Sequence, residues 1–151
     1  MIEIQPITQL NASAFKAICL RALREAPYAF GSTYEKESQF ADSEWQTGVE
    51  RMNGQRGVGF IAVDGEEACG IVGSFLDQHD PARAHLISMW TAPSYRQQGI
   101  GRMLVKAVLD WAGTRNVHTL LLMVTSNKRT RYPFLPAVRI HQNRTNRAIP
   151  E

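Results

Sequence analysis

A chain of 151 residues with 44% hydrophobic content is one ordinary domain, long enough to bury a sizeable core. No stretch approaches the ~18 apolar residues of a membrane span, and Met1-Ile2-Glu3-Ile4-Gln5-Pro6 lacks the basic start and apolar run of a secretion signal, so a cytoplasmic protein that does not engage a membrane is expected. The net charge of +3 does not mark a nucleic-acid binder: Lys128, Arg129, Arg131, Arg139, Arg144 and Arg147 all follow Asn127, and before them 11 basic residues face 13 acidic ones.

Residues 2 to 5 alternate Ile-Glu-Ile-Gln and predict a short first strand. Asn11 is placed to cap a helix whose apolar residues Phe15, Ile18, Cys19, Ala22 and Leu23 recur at helical spacing, ending near Pro27. Ser32 to about Met52 is mixed and charged, a second helix with flanking loop. Gly57–Val63 and Ala68–Leu76 are apolar runs joined at Asp64-Gly65, a strong hairpin signal. After a polar loop with Pro81, Ala84–Thr91 predicts another strand. A helix follows from about Gly99 to Ala112, with an apolar face of Leu104, Ala107, Val108 and Trp111 and with Gly113 as its cap. His118–Val124 is apolar throughout, as in a strand buried on both faces in a central, parallel position. The order β-α-α-β-β-β-α-β implies an α/β chain, a mixed sheet with helices on both sides. Cys19 and Cys69 sit inside apolar segments, as reduced core thiols do.

The informative stretch runs from Thr91 to Gly101. Gly99 and Gly101 let the backbone turn tightly and approach a ligand, and the turn opens a helix whose first N–H groups lack intrahelical partners. Arg96 adds a full positive charge beside that helix start. Main-chain donors, dipole and guanidinium together suit phosphate oxygens. Neither the Lys-Ser or Lys-Thr of a P-loop nor a G-x-G-x-x-G is present. Six residues alone would equally suit a plain helix-starting turn.

Met89-Trp90-Thr91-Ala92-Pro93-Ser94-Tyr95-Arg96-Gln97-Gln98-Gly99-Ile100-Gly101-Arg102-Met103-Leu104 resembles the cofactor motif of the GNAT superfamily of N-acetyltransferases almost position by position. The resemblance extends in element order over residues 1 to about 127. It implies the GNAT-like acyl-CoA N-acyltransferase fold and acetyl-CoA as co-substrate. It implies that the backbone of Met89, Trp90 and Thr91 pairs with the pantetheine arm where the strand splays from Leu120–Val124. The N–H groups of about Gln97, Gln98, Gly99, Ile100 and Gly101, with Arg96, would hold the pyrophosphate, and Asn127 would join the cofactor site. Direct attack by an acceptor amine is implied, with a strand N–H on the oxyanion and a base taking the ammonium proton.

The resemblance also implies a further helix ending in a Phe-Tyr pair, then Leu-Gly-Phe, the tyrosine protonating the leaving thiolate. Here Lys128-Arg129-Thr130-Arg131-Tyr132-Pro133-Phe134-Leu135-Pro136 follows Asn127, and Pro133 and Pro136 would each break such a helix. Synonymous codons for Arg129 to Ile140, read one nucleotide on, spell Glu-Arg-Ala-Ile-Pro-Phe-Tyr-Gln-Arg-Leu-Gly-Phe, and continuing through Pro150 gives Thr-Lys-Thr-Gly-Arg-Thr-Glu-Pro-Tyr-Pro. A one-nucleotide frameshift near codon 128 is therefore expected to have replaced the C-terminus. Residues 1–127 form the acetyl-CoA-binding domain and 128–151 an atypical basic tail, with the last helix and strands altered or missing. The acid tyrosine would fall where Leu135 stands.

His85 and Ser88, on the strand leading into the motif, are candidates for the base or a relay to it. A histidine placed like His85, near a strand start, is more often structural. Glu25, Glu35, Glu37, Asp42 and Glu44 either attract a cationic amine or form a solvated acidic face, and Tyr28, Phe30 and Tyr34 either line an acceptor pocket or pack the first helix. No metal site is expected. The expected activity is acetyl transfer from acetyl-CoA to a primary amine of a small molecule or peptide. The alternative is an acetyl-CoA-binding domain with little turnover, its C-terminal elements lost. A homodimer is left open.

Overall fold

The computed structural model of the protein describes residues 1–26, 32–122 and 139–141. Six strands form one mixed sheet in sequence order: β1 (Ile2–Pro6), β2 (Gly57–Asp64), β3 (Glu67–Leu76), β4 (Arg83–Thr91), β5 (Thr119–Leu122) and β6 (Arg139–His141). β1 to β4 run antiparallel, whereas β4 and β5, and β5 and β6, are parallel. The β2–β3 hairpin closes through Gly65-Glu66, with Asp64 opposite Glu67 and Gly65 at φ 65°. A positive φ at the first turn residue alone is the type II′ pattern, which matches strand twist and favours glycine there.

The helices are α1 (Ala12–Glu25), α2 (Tyr34–Glu37), α3 (Asp42–Arg51) and α4 (Ile100–Thr114). α1 packs on β3 on one side of the sheet, where Phe15, Ile18, Ala22 and Leu23 are buried. α4 covers the other side: a Cβ at Gly70 of β3 would sit 3.0 Å from Leu104 and 3.1 Å from Ile100. Ile100, Leu104, Val105 and Val108 are essentially inaccessible. Each such aliphatic side chain removed from water contributes about 2 kcal/mol. Among the described residues no helix is long and apolar enough to cross a membrane.

Four expectations need correction. The single helix predicted after Ser32 is two, because the chain is capped twice: Thr33 Oγ1 accepts from Lys36 N (3.1 Å), and Glu44 Oε2 accepts from Ala41 N (2.8 Å). Asn11 does precede α1, but its side chain serves the turn before it, accepting from Thr8 N (2.8 Å) and donating to Pro6 O (2.9 Å). Gly113 lies inside α4; the left-handed residue past that helix is Asn116, at φ 60°. The α4 face rotates accordingly, burying Ile100, Val105 and Ala112 as well as Leu104 and Val108, with Ala107 and Trp111 half-buried.

Both cysteines are free. Cys69 is buried, its thiol donating to Ala62 O at 3.4 Å, and burial first, then nearby Asp64, raises its pKa. Cys19 is half-buried, and desolvation pushes its thiol up to about 12. β5 stands between β4 and β6, the central parallel position its apolar sequence implies, with Leu120 at 0% exposure. Most of the tail after Leu122 lies outside the described residues.

Candidate active site

β4 carries the first half of the site and is not a regular strand. Against β3, Ile71 pairs with Trp90 but Gly73 pairs with Ile87, so β4 spends one residue more than its neighbour over this interval. The extra residue falls at Ser88 and Met89, and Ser88 has φ 56°, a conformation an L-residue adopts at a cost of about 1–3 kcal/mol. The bulge changes which face each side chain meets. Before it, Ile87 points to Met52 and the α1 side, since a Cβ at Gly73 would meet Met52 Cε (2.9 Å) and Ile87 Cγ1 (3.3 Å). After it, Met89 points to α4, its Cε 3.1 Å from where a Cβ at Gly101 would stand. Trp90 turns back to α1, with the Arg21 guanidinium 5.6 Å from its ring centroid. A bulged residue also drops out of the ladder, which frees main-chain groups at that point.

The loop after β4 is braced on three sides. Pro93–Tyr95 forms a 3-10 turn, and the Tyr95 hydroxyl lies 3.0 Å from Asp64 Oδ2 and 3.1 Å from Glu67 Oε2 at the hairpin end. The bond to Asp64 above all pushes the phenol up to about 12. Arg96 is exposed but tethered: its Nε donates to Thr91 O (2.9 Å) and its Nη2 to Glu25 Oε1 (2.6 Å). Glu25 Oε2 in turn accepts from Trp90 Nε1 at 3.1 Å. Gln98 Nε2 donates back to Ser94 O (3.3 Å).

Within this frame the backbone is left-handed twice, at Gln97 (φ 64°) and Gly99 (φ 83°). Gly99 caps α4 without a side-chain bond, and no acid occupies the first turn of the helix. The first helical bond is Met103 N to Gly99 O (3.1 Å), which leaves the N–H groups of Ile100 and Gly101 outside the helix ladder. A Cβ at Gly99 would meet nothing within 4 Å, so its φ, not space, requires glycine there. Ile100 keeps its side chain in the core at 1% exposure and offers only its amide. An exposed turn of this kind, with main-chain donors outside the helix ladder at a helix start and open space beside Gly99, is of a type suited to phosphate oxygens. Arg96, Gln97, Gln98, Gly99, Ile100 and Gly101 are thus brought together with Met89, Trp90 and Thr91, whereas Asn127 lies outside the described residues.

A second cluster stands at the opposite end of β4. His85 Nε2 lies 2.8 Å from Asp77 Oδ2, and the imidazole stacks on Phe75 with centroids 4.8 Å apart and planes at 19°. Asp77 Oδ1 accepts from the amides of His79 (2.8 Å) and Asp80 (3.1 Å). The His85 bond, then the His79 amide, hold the Asp77 carboxyl down at about 2. An ionised carboxylate only accepts, so His85 carries a hydrogen on Nε2, and in the neutral ring Nδ1 is the acceptor. That Nδ1 is buried and has no hydrogen-bond partner.

The sequence signalled neither Asp77, which reaches His85 across the β3–β4 connection, nor the Glu25–Arg96 pair, which joins elements remote along the chain. Of the acidic candidates, Glu25 has fixed partners, while Glu35, Asp42 and Glu44 are exposed. Tyr34 accepts from Arg24 Nη2 through its hydroxyl (2.8 Å), and Tyr28 and Phe30 lie outside the described residues.

An antiparallel sheet turning parallel at β4, a bulge there, and a helix start beneath a left-handed turn agree with the acyl-CoA N-acyltransferase fold that the sequence motif implies. The profile of the acetyltransferase (GNAT) family matches residues 18–135, and the chain belongs to that family. By family it is an acetyl-CoA-dependent N-acetyltransferase with acetyl-CoA as co-substrate. No curated protein sequence is significantly similar to it.

Solved structures share its fold at low identity. A GNAT-family acetyltransferase from Streptococcus pneumoniae superposes with a TM-score of 0.69 at 16% identity, over 85% of this chain and 77% of that one. AAC(6')-Iy in complex with the bisubstrate analogue CoA-S-monomethyl-acetylneamine gives 0.64 at 16% identity, over 85% and 82%. An aminoglycoside acetyltransferase from an uncultured soil metagenomic sample gives 0.67 at 10% identity, over 85% and 82%.

Proposed function

We propose that this chain moves the acetyl group of acetyl-CoA onto a primary amine of a small molecule, with His85 as the base. The observation that carries the cofactor half is the turn at Gln97 and Gly99, which exposes the amides opening α4 beside the bulged end of β4. The pantetheine arm, on this reading, pairs with the backbone of Met89, Trp90 and Thr91, beyond the part of β4 that pairs with β5 among the described residues. Small amines are favoured because structural neighbours are described with an aminoglycoside–CoA analogue and with sisomicin.

One proton of the incoming ammonium is relayed to His85 Nδ1, which the fold buries out of the amine's direct reach, while Nε2–H remains on Asp77. The freed amine lone pair attacks the thioester carbon, where a bulge N–H near Ser88 receives the oxyanion. The C–N bond forms, the C–S bond breaks, and the second amine proton ends on the coenzyme A thiolate. The imidazolium then passes its proton to solvent. Ser88, on the bulge itself, is the candidate relay between amine and imidazole.

The last helix and strands implied by the family pattern are replaced, on this reading, by the out-of-frame tail 128–151. Cofactor binding rests on residues that precede it and survives; turnover is diminished. Calorimetry with acetyl-CoA, paired with thiol release against a panel including sisomicin and spermidine, tests this. Heat of binding with slow thiol release that His85→Gln lowers by at least tenfold is expected. Heat without thiol for any amine would reduce the chain to a binding domain, and no heat at all would remove the cofactor site.

A further inference from the structure

Glu25 is in a doubly unfavourable place. It is the last residue of α1, where the helix dipole concentrates negative partial charge, and it lies across from a turn suited to a diphosphate. Yet both of its oxygens are engaged, Oε1 by Arg96 and Oε2 by the Trp90 indole. These two partners flank the cofactor turn: Trp90 belongs to the strand that enters it, and Arg96 begins it. Arg96 completes the frame by donating Nε to Thr91 O, so one guanidinium spans α1 and the end of β4.

We propose that Glu25 is a positioning residue, which with Arg96 clamps both flanks of the turn so that its main-chain amides are held toward the diphosphate. The Arg96 charge is thereby committed to the clamp and not to the phosphates. The inference rests on the reading of this turn as the cofactor site. It separates two roles for Arg96 by sign. If Arg96 grips phosphate and Glu25 merely competes for it, removing the carboxylate frees the guanidinium and tightens coenzyme A binding. If the pair is a clamp, the same change loosens it.

The full chain and its Glu25→Gln, Arg96→Gln and doubly substituted forms are to be titrated with coenzyme A, with thermal melting alongside. Each single change is expected to weaken binding about three- to tenfold, and the double change no more than the worse single one, because both remove one device. The amide resonances of Gly99 and Gly101 should shift in the ligand-free single variants, which a loss of general stability would not produce while the melting temperature holds. Tighter or unchanged binding by Glu25→Gln, or additive losses in the double variant, overturns the clamp. Should Glu25→Gln not fold, Glu25→Arg combined with Arg96→Glu replaces it. Recovery of affinity over Arg96→Glu alone supports the clamp, and no recovery overturns it. If the unaltered chain takes no coenzyme A, the cofactor reading fails first and the clamp's purpose with it, whereas binding that ignores the pair sinks the clamp alone.

Discussion

Gly65 and Gly99 make a matched pair at the scale of single residues. Both have positive φ, 65° and 83°, and neither would bring a new Cβ within 4 Å of any atom. Alanine at either site therefore meets only the backbone cost of the left-handed region, about 1–2 kcal/mol. The difference lies in what stands beside them. Gly65 turns a hairpin, so Gly65→Ala should lower the melting temperature and leave coenzyme A affinity alone. Gly99 holds the amides opening α4, so Gly99→Ala should lose a similar amount of stability and also weaken coenzyme A binding about tenfold, as the turn relaxes toward negative φ. Equal effects of the two substitutions on affinity would refute the assignment of the turn. Gly101 differs again, because there the nearby Met89 Cε, not φ, sets the limit.

Among the elements, the β3–β4 connection has a pH dependence that follows from one carboxylate. Asp77 organises it by accepting the amides of His79 and Asp80 and orienting His85, and these bonds lower its pKa to about 2. A depressed carboxylate stabilises the fold above its unfolded pKa of about 4, and that contribution fades as the pH falls through about 2. Exchange of the His79 and Asp80 amides should therefore accelerate between about pH 4 and pH 2 before the β3 amides respond, and Asp77→Ala should show fast exchange already at neutral pH. Protection persisting unchanged at pH 2 would contradict this. Such a turn was only partly legible in the sequence, where Asp-Gln-His-Asp-Pro announces a polar loop but not that Asp77 reaches His85 across it. The hairpin at Asp64-Gly65 and the helix opened by Gly99 were legible because local turn chemistry decides both. The bulge at Ser88 was not, since nothing in Leu-Ile-Ser-Met-Trp marks the residue that the β3 register leaves over. Nor does the sequence around Trp90, a core residue at 4% exposure, reveal its bond to Glu25.

For the molecule as a whole, the proposed cofactor site and the proposed base both lie ahead of Leu122, and only the proposed acid falls after it. The turn, the α4 start, the bulge and the Glu25–Arg96 pair all precede Leu122, as do His85 and Asp77. What the family pattern places after that point is the acid that protonates the thiolate and the elements that close the site, and there this sequence departs from the pattern. A chain translated from the neighbouring frame after codon 128, in the reading spelled out above, would carry a tyrosine at the position of Leu135 and set two glutamates among the basic residues of the tail. Because a departing thiolate with no nearby acid reverses more readily, the restored form should raise turnover about 10²- to 10⁴-fold, the range for one placed proton donor, with coenzyme A affinity within a few-fold of the original. Substituting that restored tyrosine by phenylalanine should remove most of the gain. The gene itself gives an independent check, since codons for residues 129–140 incompatible with the alternative reading exclude the frameshift outright. If the restored form binds and turns over no better than this chain, the basic tail is native, and catalysis must be sought among residues that precede it.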